Sequence, residues 1–393
     1  MTSNGITGAL GGRWRADVTP WGALEPWDGS PTLDWHVAAD DRWHSPATES
    51  TVRQHRVEGT PVFETRLRVP SGDAVHRCYS VAAAGGATVI ELTNDSALPI
   101  AVALTRPDLL TSRPPTDVPI EGIALPTGTI VVPIGHRASV TVALAHGGTG
   151  PAPLPRGLAP AAAVAGGWRS IVERASRLEL PDAGLVDAVI AARCDLLLAG
   201  PPASDGDPAG FLLACGELVR LDELSPTAAS SLTGEVADAV EIVASRPGWD
   251  VEGALDAAGL LLARAGDRRA VRDIVAISGA RERAPLPVDA PGGIRNVAWV
   301  ERRFADGATL FPQGMPTGWR GAGLEAHGLA IGPATRLSFA VRWHGERPAL
   351  LWEQDGDPLA LHAPAIDPSW ASAAPRGETL WPAPAVSIST GGT

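Results

Sequence analysis

Indole and carboxylate side chains crowd the first part of the chain. In WRADVTPWGALEPWDGSPTLDWHVAADDRW, five tryptophans (Trp14, Trp21, Trp27, Trp35 and Trp43) are interleaved with Glu25, Asp28, Asp34, Asp40 and Asp41. The whole chain holds 13 Trp against five Phe and one Tyr. Flat indoles stack on the apolar faces of pyranose rings while carboxylates accept from sugar hydroxyls, so Trp21, Trp27 and Trp35 suit a carbohydrate surface. The same indoles also suit the core or end of a β-sandwich. A second stretch, Trp249-Asp250-Val251-Glu252, puts a carboxylate where a helix begins. The positive end of the helix dipole could support a catalytic acid or base there, and a plain N-cap is the alternative. The third stretch, GWRGAGLEAHG, offers Trp319, Arg320, Glu325 and His327 on glycine-rich backbone that a ligand can approach closely. Glu325 and Asp250 are thus the candidate catalytic carboxyls, with Trp319, Arg320 and His327 as candidate substrate contacts. A surface loop leading into a strand is the structural alternative for the third stretch.

Other chemistries find no foothold. The chain has no lysine, which removes Schiff-base lysines and the P-loop lysine. GxGxxG and Walker patterns are absent, so no cofactor is expected, and without GxSxG serine-based catalysis has no support either. No metal is expected either: His36 with His44 is the one local histidine pair, without HxH, HExxH or HxxxH spacing. Glu353, Asp355 and Asp357 alternate as calcium ligands do, but Gly356 and Pro358 are misplaced for an EF-hand loop. With 44 acidic against 32 basic side chains the formal net charge is −12, and no basic run or face appears, so neither nucleic acid nor anionic membrane is an expected partner. Cys78, Cys194 and Cys215 are too scattered for a disulfide framework. No apolar leader region and no run of eighteen apolar residues occurs, so a soluble, cytoplasmic protein is the expectation.

Three kinds of element must position these residues. Residues 1–147 read as an antiparallel β-sandwich of short alternating runs: in VFETRLRVP, Phe63, Thr65, Leu67 and Val69 fall on one face, and TVIELTND, LPIAVALTR, GTIVVPIG and ASVTVALAHG repeat the pattern. Residues 148–160, rich in Pro and Gly, read as a linker. Over 161–280 the period changes to three and four, which predicts six helices as three αα-hairpins. The first of these carries Trp168, Ile171, Val172, Ala175 and Leu178, and later ones follow Pro181-Asp182, Ser225-Pro226 and Asp267. Residues 281–382 read as C-terminal β-structure after another Pro/Gly-rich break, with RLSFAVRW and PALLWEQ joined as a hairpin through HGER. Residues 383–393 form a tail. The fold class is therefore α+β and multidomain.

A β-sandwich, a linker, helical hairpins and further β-structure make a layout that resembles the six-hairpin glycosidases of glucoamylase and trehalase type. NDSALPIAVALTRP, WDVEGALDAAGLLLARAGDRRAVRDIVA and GWRGAGLEAHGLAIGPATRLSFAVRWHGERPALLWE carry the resemblance, with a truncated (α/α) region. It implies a carbohydrate-active or carbohydrate-binding protein with an oligosaccharide or glycoside ligand, and inverting hydrolysis by two carboxylates if it is active. The alternative is a non-catalytic scaffold that keeps this layout and meets a protein partner or a second copy.

Overall fold

Strand-like alternation in the first part of the sequence is realised as three antiparallel sheets. The computed structural model describes residues 5–115, 121–148, 152–281, 283–332 and 334–384. The chain is mixed α+β and divides into two compact units. One runs to Ser170 and includes Leu197–Ala199; the other holds Ile171–Leu196 and the chain from Gly200 on.

In the first unit, consecutive hairpins build a six-stranded sheet. Phe63–Val69 pairs with Gly72–Val81, which pairs with Ala87–Asn94, and that strand pairs with Ser139–Ala145. A four-stranded sheet around Ile100–Leu104 and Trp35–Ala38 supplies the second layer. Period-2 alternation turns Trp35, Val37, Val102 and Ile134 of one sheet onto Phe63, Leu67, Ile90 and Leu92 of the other, which makes the sandwich core. The opposite face of the six-stranded sheet is covered too. There Tyr79, Val81 and Val89 pack with Leu154, Leu158, Ala161 and Ala165. The segment expected to be a linker is therefore not a free spacer: residues 149–151 lie outside the described residues, and beyond them Leu154 donates to the Thr111 carbonyl at 3.0 Å.

Burial has a titration consequence in this sandwich. His76 is 2 % exposed and stacks on Trp35 at 4.9 Å, and burial pushes its pKa from 6.5 down to about 4. Unfolded chains take up this proton below about pH 6.5 whereas the folded unit refuses it, so stability is full above that pH and falls as pH drops toward 4. The cost is about 2 kcal/mol at pH 5. His146, stacked on Trp14 at 4.1 Å, is also pushed down to about 4, by burial first and by Arg15 second. Thermal unfolding of the sandwich should shift to lower temperature between about pH 7 and pH 5, and His76→Phe should remove much of that shift.

Helices follow in α1 (Ala161–Val172), α2 (Ala183–Ala199), α3 (Pro208–Arg220), α4 (Pro226–Ser231), α5 (Thr233–Ala244), α6 (Val251–Arg264), α7 (Arg268–Gly279) and α8 (Arg295–Phe304). Start signals work as their chemistry requires: Asp182, Asp207, Ser225 and Asp267 each accept from a first-turn amide. The apolar faces of α3, α5, α6 and α7 close on one another through Phe211, Leu212, Val236, Leu255, Leu261 and Ile274.

Three expectations need correction. The first helix ends at Val172, and Leu178 belongs to a strand, Arg177–Glu179, because its backbone pairs with Leu324–Gly332. The single helix predicted after Ser225-Pro226 is two, α4 and α5, separated at Leu232. The region read as purely β contains α8, whose Val297, Val300 and Phe304 keep helical spacing. Four strands after α8 join the strand 177–179 in a five-stranded sheet of order 177–179, 324–332, 335–344, 347–356, 376–380. Its centre is the predicted hairpin, closed at His344↔Arg347 with Gly345 at φ +62°, a conformation that glycine adopts without strain. Val189 of α2 and Val300 of α8 share one core with Phe339, Trp352 and Trp381, so helices and C-terminal strands belong to a single unit. Residues 385–393 of the expected tail lie outside the described residues. No helix among the described residues is long and apolar enough to cross a membrane.

Candidate functional site

The tryptophans expected to face a sugar divide by burial. Trp35 is 1 % exposed and its indole N–H donates to the Trp21 carbonyl at 2.8 Å, so it is sandwich core and cannot meet a ligand. Trp21 is half-buried, and Trp27 is 49 % exposed just beyond the strand Leu24–Pro26. In the second unit Trp319 stacks on Phe304 at 5.8 Å and lines a hollow of about 220 Å³ with Gln313 and Met315; Arg320 beside it is exposed.

The two candidate catalytic carboxyls are not brought together. Asp250 precedes α6 as expected, but it is 6 % exposed and accepts from Arg246 at 3.2 Å and Arg295 at 2.9 Å. Arg295 continues to Asp207 at 2.6 Å. The Asp250 carboxylate is thus engaged by two guanidinia in an ion pair. Glu325 lies in the strand Leu324–Gly332, directly opposite Glu179, and accepts from Arg342. His327 sits 2.9 Å from it. Arg342 first and His327 second hold the Glu325 carboxyl below the usual carboxylate range, so it has no proton to donate near neutrality. Glu179, Glu325 and His327 bring ligand atoms within 4.8 Å of one another, but Arg342 and Arg177 already stand as their counter-charges.

A better-built site lies in the helical layer, where α3 and α6 pack closely because Gly216 faces Ala257: a Cβ there would come within 2.5 Å of the Ala257 Cβ. Beside this contact a cleft with about 90 Å³ of room for water is walled by Asp256 of α6, Glu301 and Arg302 of α8, Arg283 and Asp306. Asp256 keeps 46 % of its side-chain surface, Arg283 comes no closer than 4.0 Å, and no described residue donates a hydrogen bond to it. Although nearly half its side chain stays open to water, the protein packed around the carboxyl disfavours the charged form and pushes it up to about 6; Asp306 and Glu252 add to this, and Arg283 and Arg302 oppose it. Asp306 is held differently. Arg302 reaches it through Nε at 3.2 Å and Nη2 at 2.9 Å, and Arg283 donates to Oδ1. One guanidinium, that of Arg283, therefore stands between the two aspartates.

The wall behind is a buried charge network. Arg193 is 1 % exposed and donates to Glu217 at 2.5 Å, Glu301 at 2.9 Å, the Ser176 carbonyl at 2.8 Å and the Ser176 hydroxyl at 2.7 Å. Arg220 bonds both glutamates at 2.8 Å. Burial works to raise the Glu301 carboxyl, yet Arg220 and Arg193 together hold it below the usual range. The network is neutral when both glutamates are ionised, and it fixes α2, α3 and α8 around the cleft. Sequence reasoning missed Asp256, although a signal existed: Glu252 and Asp256 are four residues apart in the otherwise apolar VEGALDAAGLLLA, which puts both on one helix face. No known protein family matches this chain, and no curated protein matches it.

Proposed function

We propose that the chain is a carbohydrate-active protein of glycoside-hydrolase type and that its site is the Asp256 cleft, in place of Asp250 and Glu325. One observation carries the reading: Asp256 and Asp306 line the same cleft on either end of the Arg283 guanidinium. The two ends of that guanidinium face the two carboxyls, and hydrolysis by an acid and a second carboxylate needs two such groups at one cleft. Asp256, raised to about 6 and free of hydrogen-bond donors, is the group with a proton to give the leaving oxygen. A carboxylate offers about four lone-pair positions. Arg302 and Arg283 take three of those on Asp306, which leaves one to accept a proton from water as that water attacks the anomeric carbon. The order of sandwich, helices and C-terminal sheet along the chain supports the reading by its likeness to glycosidase layouts.

The test is a panel of α- and β-linked oligosaccharides and simple glycosides, with released sugar measured over about pH 4 to 8. Hydrolysis should appear, with a rate that falls about tenfold per pH unit above 6 as Asp256 loses its proton. If no glycoside binds or is cleaved, the hydrolase reading fails and the non-catalytic scaffold takes its place.

A further inference from the structure

We propose that the sugar bound in the Asp256 cleft carries a carboxylate, and that the Arg283 guanidinium holds it. This deepens the hydrolase reading and rests on Asp256 as the acid of the cleft. The guanidinia at the cleft differ in how far the protein already uses them. Arg193 is spent on Glu217, Glu301 and Ser176, Arg220 on the same glutamates and the Ala175 carbonyl, and Arg302 on Asp306 and the carbonyls of Trp249 and Ala284. Arg283 donates, among the described residues, to Asp306 alone; it does so through Nη1, and its Nη2 stays 4.0 Å from Asp256. A guanidinium has five N–H donors, so most of those on Arg283 are left for a ligand. The side chain keeps 41 % of its surface, so a ligand can reach them. Gly307, at φ +58°, also lines the cleft, and a Cβ there would have three atoms of this guanidinium as its nearest neighbours, at 3.5, 3.8 and 3.9 Å. Without that Cβ the guanidinium is uncovered on the Gly307 side.

Charge balance gives the ligand its sign. In the form that donates a proton Asp256 is neutral, and the cleft with the network behind it then sets Arg193, Arg220, Arg283 and Arg302 against Glu217, Glu301 and Asp306. Glu252 does not alter this balance, because Arg281 stands 3.5 Å from it. One positive charge is left over, and Arg283 is the cation with donors to spare. A carboxylate offsets that charge, which a neutral sugar does not. It also fits the planar fork of a guanidinium through two parallel N–H···O bonds, so it fixes the ring beside Asp256 and Asp306 as well as binding it. The carboxylate takes no part in bond breaking. It stays on Arg283 while the leaving oxygen takes the Asp256 proton, and water gives its hydroxyl to the anomeric carbon and its proton to Asp306.

The test pairs glucuronate with glucose, galacturonate with galactose and mannuronate with mannose, members that differ only in the group on the last carbon. Free sugars are titrated calorimetrically, and glycosides of one aglycone are compared in kinetics. On the intact protein one sugar acid should bind roughly 10- to 100-fold more tightly than its neutral partner, and added salt should erode that advantage. Arg283→Gln should bring the ratio to about one, and whatever it does to turnover is shared by both members of a pair. Gly307→Ala, which covers the guanidinium and keeps its charge, should lower the ratio; if Arg283→Gln does not fold, Gly307→Ala and the salt dependence decide. For the acidic glycoside, kcat should fall at a higher pH than kcat/KM, because the bound carboxylate helps Asp256 keep its proton, whereas Asp306, Glu252, Arg283 and Arg302 surround Asp256 with or without ligand. Equal binding within every pair, or a preference that survives Arg283→Gln, would overturn the carboxylate assignment and leave Asp256 as the acid. Sugar-acid binding that needs Arg283, with no glycoside cleaved, would keep the carboxylate site and remove the acid assignment instead.

Discussion

Asp256→Asn should lower kcat/KM toward unactivated glycosides by roughly 10²–10⁴-fold, the contribution of a positioned general acid. The substitution keeps size and shape on α6 and removes only the proton that the leaving oxygen needs. Two further readouts separate lost acid catalysis from a general disturbance. The fall in rate above pH 6 should disappear in the variant, because the group whose ionisation causes it is gone. The deficit should also shrink as the leaving group becomes more acidic, since a stable leaving anion needs no protonation. Glu325→Gln should stay within about twofold of the parent, because Glu325 is paired to Arg342 on the sheet and contributes nothing to the cleft. Steady-state kinetics over a series of aryl and alkyl glycosides reads all of these. Undiminished turnover of a methyl glycoside by the Asp256 variant would exclude Asp256 as the acid.

Why Asp256 is hard to see in the sequence, and the sandwich easy, comes down to the range of the forces involved. Strand alternation, as in Phe63, Thr65, Leu67 and Val69, and helix caps, as at Asp182 and Asp267, are local: each pattern is read within about ten residues, and each forms as read. The hairpin 335–344 and 347–356 is legible for the same reason. Leu178 is not, because helical spacing continues through it and only the distant strand Leu324–Gly332 gives its backbone a partner. Glu325 sits in a glycine-rich run that suggests a loop, yet Leu324, Ala326, Leu329 and Ile331 are buried along one strand and turn Glu325 to the charged face. Trp35 could be platform or core on composition alone, and its burial against His76 decides. Asp256 acquires its character from Arg283 and Asp306, which lie far along the chain, and a property created by folding leaves little trace at one position.

Arg193→Met should destabilise the second unit by roughly 3–5 kcal/mol, the usual consequence of removing one partner from a buried ion network. The guanidinium is enclosed between Glu217 and Glu301, and its loss leaves two buried carboxylates to share Arg220 alone. A neutral cluster then carries one uncompensated negative charge, and the carbonyl of Ser176 and that of Val172, which accepts at 3.3 Å, lose a donor as well. Urea unfolding followed by the helical far-UV signal should show the midpoint falling with little change in slope. Glu217→Gln introduced beside Arg193→Met should recover part of the loss by restoring neutrality, so the two effects should not add. Arg193→Lys separates charge from shape. It keeps the cluster neutral, but a compact ammonium cannot reproduce the planar fork that reaches Glu217, Glu301 and Ser176 together, so it should restore only part of the stability. Full recovery by lysine would mean that charge balance alone holds α2, α3 and α8 around the cleft, whereas partial recovery assigns the remainder to the directionality of the guanidinium.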